Sequence, residues 1–261
     1  MNIIKHQDCV EGMKSMKAES IDLIVTSPPY NQQRSYEKKT SLNTYLAWQR
    51  EVIIACNRVL KPGGSIAYQV GNYVESGQVY PLDCLLFSYF LECGLTPRNR
   101  IIWHFEHGLH CKKRLSGRHE TVLWFTKGDD YTFNLDEVRV PQKYPGKKHY
   151  KGEKKGQLSG NPLGKNPGDV WQITNVKNNH PEKTEHPCQF PLDLIRPLIR
   201  ALSNPGDVVL DPFMGSGTVA VAAAQLNRAY LGYEIHEGNI NISNERIQKE
   251  FYGLIEQLTL F

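Results

Sequence analysis

Short apolar runs alternate along this chain with longer stretches whose apolar residues recur at helical spacing. The short runs are Asn2–His6, Ile21–Thr26, Ser65–Val70, Ile101–Phe105, Thr121–Thr126, the segment DVVLDPF at 207–213 and AYLGYEI at 229–235. Their length and composition predict strands. Helical spacing marks Cys9–Met16, Leu42–Leu60, Pro81–Glu92, Leu192–Leu202, Thr218–Leu226 and Asn239–Leu254. In Leu42–Leu60 the stripe is Leu46, Val52, Ile53, Ala55 and Val59, and the KPGG that follows predicts its stop. Strands alternating with helices predict a doubly wound α/β fold with a mainly parallel sheet.

One stretch breaks the rhythm. Pro141–His180 is rich in Lys, Gly, Pro and Asn, with little periodicity. It carries eight lysines against Glu153 and Asp169, so the chain's formal charge of +4 is concentrated there. A basic insert in an α/β frame divides the 261 residues into a first half (1–135), an insert (136–182) and a second half of the same domain (183–261). The opening MNIIKHQDCVEG is too polar for a signal peptide, and no apolar run approaches the ~18 residues that cross a bilayer. The six cysteines form no C-x-x-C pair and read as reduced thiols. Together these predict a cytoplasmic protein without membrane contact.

The chemistry starts at VVLDPFMGSGT. Gly215 and Gly217 let the backbone turn tightly between a strand and a helix and come close to a ligand. Glu234 ends the next strand, where a carboxylate can accept hydrogen bonds from ribose hydroxyls. The turn lacks the Lys-Ser/Thr of a triphosphate loop. Asp211 would repel a pyrophosphate and suits a cationic amine, such as the α-amine of S-adenosylmethionine.

A second strand, Ile21–Thr26, runs into Ser27-Pro28-Pro29-Tyr30. Prolines have carbonyls but no N–H. A stiff Pro-Pro step can therefore aim an acceptor into a pocket without setting donors beside it. Ser27 Oγ and the Pro28 carbonyl suit the two hydrogens of an exocyclic amine, and Tyr30 suits an aromatic ring stacked on it. In a doubly wound sheet, loops at the C-terminal ends of strands meet, so this motif and the glycine turn can share a site.

TSPPYN, GRHETVLWFTK, HPCQFPLDLI and DPFMGSGT occur in that order. The chain thereby resembles the β-class DNA amino-methyltransferases, in which the target-base motif precedes the cofactor motif. The resemblance implies a circularly permuted Rossmann-like methyltransferase fold, S-adenosyl-L-methionine as cofactor and double-stranded DNA as partner. It leaves open a homodimer and a cognate restriction endonuclease. It implies that Ser27, Pro28, Pro29 and Tyr30 hold a flipped base. It also implies that Phe213, Gly215, Ser216, Gly217, Thr218 and Glu234 hold the cofactor, together with Asp8, His186 and Gln189, beside the Asp211 read above from its place at the strand end. Ser27 stands where many adenine-modifying members carry Asp or Asn, which points to cytosine N4, with adenine N6 as the alternative.

DNA contacts are expected from Lys112, Lys113, Arg114 and Arg118, and from Lys147, Lys148, Lys151, Lys154 and Lys155 of the insert, with Tyr144, Tyr150 and Trp171 among its aromatics. His104, His107, His110 and Cys111 lack a second ligand pair of matching spacing, so no metal is expected. Three rival functions remain. An NAD-dependent oxidoreductase leaves SPPY without a role, and a non-catalytic DNA-binding protein leaves the cofactor loop without one. An RNA or protein methyltransferase fits the basic insert less well.

Overall fold

The computed structural model describes residues 2–32 and 39–252 of the chain. The elements, in order, are β1 (Asn2–His6), α1 (Cys9–Lys14), β2 (Ile21–Thr26), α2 (Leu42–Val59), β3 (Leu60–Val70), β4 (Asn72–Glu75), β5 (Gln78–Pro81), α3 (Leu82–Glu92), β6 (Thr96–His104), β7 (His119–Thr126), β8 (Val170–Gln172), α4 (Leu192–Leu202), β9 (Val208–Asp211), α5 (Thr218–Gln225), β10 (Ala229–Glu234) and α6 (Glu237–Ile247). Eight strands form one sheet in the order β1-β10-β9-β2-β3-β7-β6-β8, and β4 and β5 form a hairpin. Among the described strands of the large sheet, only β7 runs against its neighbours.

The sheet is the middle of three layers. On one face α1, α2 and α3 bury Met13, Val52, Ile53 and Phe90 against Ile24, Ile66 and Phe125. On the other, α4 and α5 bury Leu194, Leu198, Val219 and Ala222 against Val25, Ala67 and Val209. Helix α5 is short and almost all Val and Ala, which lets its backbone lie close to β9 and β10. Both sheet faces are covered, so the central strands are continuous apolar runs.

Several boundaries differ from expectation, each for a physical reason. KPGG ends α2, but it also opens β3. The backbone bends there with Gly63 at φ +78°, where a Cβ would lie 2.6 Å from the Asp130 carbonyl. Strand β6 starts five residues earlier than its apolar run, because Thr96, Pro97, Asn99 and Arg100 pair with β7 without being buried. The β4–β5 hairpin turns on Ser76 and Gly77, both at positive φ, a turn conformation that suits a Ser-Gly pair. The insert supplies β8, which pairs with the edge strand β6 and so completes the sheet. Helix α6 passes into a π-helical turn at Gln248–Tyr252, and positions 253–254 of the expected helix lie outside the described residues.

The chain winds from β2 outward through β3 in one direction and from β9 outward through β10 in the other. The neighbouring strands β2 and β9 are therefore the topological switch point, where a crevice opens beyond the strand ends. Thr26 and Asp211 close the two strands there with a buried hydrogen bond, Thr26 Oγ1 donating to Asp211 Oδ1 at 2.6 Å. Replacing Thr26 with Val keeps the shape and removes the donor. The variant should lose about 1–3 kcal/mol of stability at pH 7, read as a lower urea midpoint with unchanged slope.

Candidate active site

The crevice at the switch point is a cleft of about 320 Å³. Ser27, Pro28, Pro29 and Tyr30 line it from the end of β2. Phe213, Gly215, Ser216 and Thr218 line it from the turn between β9 and α5. Glu234, Asp8, His186 and Gln189 complete it. Segments about 180 positions apart in sequence thus share one cavity because their strands are neighbours.

The glycine turn is held by side chains at its back. Glu234, nearly buried at the end of β10, accepts from the Gly215 N–H through Oε2 at 2.9 Å and from the Ile235 and His236 N–H groups through Oε1. Gly215 sits at φ +51°, and a Cβ there would come 3.2 Å from His186 Nε2. The imidazole therefore packs onto bare backbone. Burial lowers the pKa of His186, which favours the neutral ring, and its Nδ1 accepts from the Cys188 N–H. Phe213 is braced by an edge-on contact with Trp48 at 5.6 Å.

Arg246 of α6 ties this turn to the loop before α4. It is buried, donates to Thr218 Oγ1 at 2.6 Å and pairs with Glu182 and Glu250. Glu182 Oε2 in turn accepts from the Leu192 N–H and starts α4. The Gln189 amide is engaged in the same loop, accepting from Thr184 and donating to the Glu182 carbonyl. Asp8 caps α1, its Oδ1 accepting from the Val10 and Glu11 N–H groups.

Three expected contacts take another form. Gly217 does not line the cleft. It caps α5 at φ +78°, and a Cβ there would meet Ser243 of α6 at 2.9 Å, so helix packing is what requires glycine. Asp211 lies beneath the floor, 1% exposed, where its Oδ1 takes the Thr26 hydroxyl and the Phe213 N–H. Its Oδ2 is buried without a hydrogen-bond partner, and burial raises the carboxyl pKa to about 7. Arg118 turns back on its own loop, donating to the Gly117 and Leu109 carbonyls.

Lys112, Lys113 and Arg114 are exposed in the loop between β6 and β7. Lys147, Lys148, Lys151, Lys154 and Lys155 are exposed on the insert, with Tyr144 and Tyr150. Trp171 instead packs against the second core and donates to the Gly168 carbonyl. Among the described residues no cluster of three His, Cys, Asp or Glu could hold a metal ion, and no helix is long and apolar enough to cross a membrane.

The sequence reading missed Trp48, Gln69, Trp103, Phe105, Glu120 and Asn175, all of which line the cleft. Gln69 ends β3. Because β7 is antiparallel, its beginning, with Glu120, lies at the same edge. Trp103 is paired with Glu120 across β6 and β7. Asn175 arrives from the insert just after β8 and donates to the His107 carbonyl. A polar residue within the apolar end of β3 was the one visible signal.

Comparison with known proteins gives a consistent picture. A family model described as DNA methylase matches residues 21–245. The type II methyltransferase M.BglII of Bacillus subtilis is 51% identical over 251 residues, which cover 96% of this chain and 70% of that protein. The structure of TTHA0409 from Thermus thermophilus complexed with S-adenosyl-L-methionine superposes with a TM-score of 0.69, at 26% identity and 96% coverage of both chains. The cytosine-N4-specific PvuII DNA methyltransferase shares the fold at TM-score 0.76 and 23% identity, covering 94% of this chain and 86% of that one.

The residues around the turn fit S-adenosyl-L-methionine. Glu234 brings a carboxylate to the cleft, Phe213 and Ile235 bring apolar surface, and the orphaned Asp211 oxygen leaves an unpaired polar atom under the floor. The buried Asp211 also makes a thermodynamic prediction. Its folded pKa of about 7 lies above the ordinary value of 3.8, so the folded state holds the proton more tightly and stability is lost as pH rises from about 4 through 7. Asp211→Asn should flatten that decline. The check is Tm against pH for both proteins; parallel profiles would show that Asp211 ionises normally.

Proposed function

The chain belongs to the DNA methylase family as an S-adenosyl-L-methionine-dependent DNA amino-methyltransferase, and on that premise we propose that its target is the N4 amine of a cytosine turned out of the duplex. The observation that carries the reading is the shared cleft, lined on one side by Ser27-Pro28-Pro29-Tyr30 and on the other by the glycine turn. A base inside a duplex cannot reach such a cleft, and extruding it costs a few kcal/mol. Stacking on Tyr30 offsets about 1–3 kcal/mol of that.

When bound, S-adenosyl-L-methionine supplies an electrophilic methyl group on a sulfonium. The chain's own residues prepare the nucleophile. An exocyclic amine is a weak nucleophile because its lone pair is delocalised into the ring. Ser27 Oγ and the Pro28 carbonyl accept its two hydrogens and favour a pyramidal nitrogen with a localised lone pair. Tyr30 fixes the ring plane, so that the lone pair faces the methyl donor. Ser27 is the argument for cytosine: its short hydroxyl reaches less far than the carboxylate or amide that suits adenine. Glu234, Phe213 and Asp8 hold the cofactor in this reading, with His186 and Gln189 at its methionine end.

Residues 136–182 are the target-recognition segment in the same proposal, between catalytic parts 1–135 and 183–261. Their exposed lysines meet phosphates, while Asn175 and Val176 reach the cleft beside the target base. M.BglII is named a type II methyltransferase, which supports a cognate restriction endonuclease as a companion. Six free thiols suit a cytoplasmic setting.

Two measurements test this. Mass spectrometry of nucleosides from DNA methylated by the purified protein should find N4-methylcytosine; N6-methyladenine in its place would transfer the reading to adenine. Replacing Lys147, Lys148, Lys151, Lys154 and Lys155 with Gln should weaken binding to any DNA sequence. It should also flatten the log–log salt dependence by about 0.9 per lost phosphate contact. An unchanged slope would place the insert away from DNA.

A further inference from the structure

Beneath Tyr30 runs a chain of hydrogen bonds that the transfer step described above does not use. Ser27 Oγ lies 3.3 Å from the Tyr30 hydroxyl. That hydroxyl lies 3.1 Å from Glu120 Oε2 and 3.0 Å from Gln69 Oε1. Gln69 Nε2 donates a short bond to the same Glu120 oxygen. All four side chains line the cleft. Gly71 is bare to make room, since a Cβ there would fall 2.9 Å from Tyr30 Cε2 and 3.0 Å from Glu120 Oε1.

The groups facing the Glu120 carboxyl are Tyr30 from the loop after β2, Gln69 from β3 and Trp103 across the strand pair on β6. None is a cation. Burial raises the Glu120 carboxyl above its ordinary range, against the bonds from Gln69 and Tyr30 that lower it. Tyr30 is kept protonated by burial and by Glu120. It can therefore pass a proton on only as it receives one.

Methylation of an amine creates a proton to be removed. As the N–C bond forms and the S–C bond of the donor breaks, the bonding pair stays on sulfur and the base nitrogen is left with a positive charge. On the reading of the cleft given above, we propose that Glu120 takes up that proton through Ser27 and Tyr30. The amine N–H gives its proton to Ser27 Oγ, the Ser27 proton moves to the Tyr30 oxygen, and the Tyr30 proton moves to Glu120 Oε2. The methylated base leaves neutral and both hydroxyls are restored. Glu120 ends protonated and releases its proton to solvent through the open cleft before the next turnover. Glu120 touches the base only through the two hydroxyls, and Gln69 holds it in line.

Glu120→Gln keeps the shape and the bond from Tyr30 but cannot take a proton. Its kcat should fall about 100-fold while KM for DNA changes little. In the wild type, kcat should decline as pH drops through the Glu120 range, and this decline should be absent in Glu120→Gln. Tyr30→Phe, which interrupts the relay from the other side, should lose the same pH dependence. Independently of turnover, difference infrared spectra of the cofactor-free Asp211→Asn protein, in which the other raised carboxyl is absent, should show a carboxyl band titrating above the ordinary carboxylate range, missing when Glu120→Gln is added. A Glu120→Gln enzyme with wild-type kcat, or with the acid decline intact at the same midpoint, overturns the relay; a retained decline then belongs to Asp211. If the wild type methylates no DNA at all, the reading of the cleft falls together with the relay.

Discussion

The hydrogen bond from Thr26 to Asp211 joins the two strand ends on which the site is built. Strand β2 leads into Ser27-Pro28-Pro29-Tyr30 on one side of the cleft, and β9 leads into the glycine turn on the other. Neither loop is useful without the other at a fixed distance. A bond buried at 0% and 1% exposure of its two residues fixes that distance where no water competes for the donor. The same carboxylate accepts the Phe213 N–H, so one buried acid sets both the junction and the first step of the turn. Its second oxygen remains without a partner, and burial there favours the protonated acid.

Outward from that junction, buried polar groups hold backbone in place. Glu234 clamps Gly215 and the start of the segment into α6. Arg246 draws Thr218, Glu182 and Glu250 together. Arg246 stands behind the turn, whereas Glu234 both clamps it and lines the cleft. Replacing either clamp would act on binding through the shape of the turn as well as through lost contacts.

The antiparallel strand β7 has a particular consequence. It returns the beginning of a strand to the edge where every other central strand ends, and so brings Glu120 beside Tyr30 and Gln69. The edge strand β8 works in a similar way. It anchors the end of the basic insert on β6 and delivers Asn175 to the cleft. The insert is thus both an outer basic surface and part of the wall of the site.

What the sequence determined by itself is the part governed by local rules. Apolar periodicity marked the strands and helices of the sheet, and Gly215 with the Ser-Pro-Pro-Tyr step identified both sides of the cleft. Those signals are legible because backbone freedom, missing N–H groups and apolar runs are properties of neighbouring residues. Only the tertiary structure decided what Asp211, Gly217, Arg118, Gln69 and Glu120 do. Asp211, expected beside the cofactor, is buried at the junction of β2 and β9 and bonded to Thr26. Gly217, expected at the cofactor, packs against Ser243 of α6 where a side chain would clash. Gln69 and Glu120 carry no local mark, because their pairing with Tyr30 depends on strand order and on the reversed direction of β7. Contacts between residues 39 to 185 positions apart arise from sheet topology, which no short window of sequence contains.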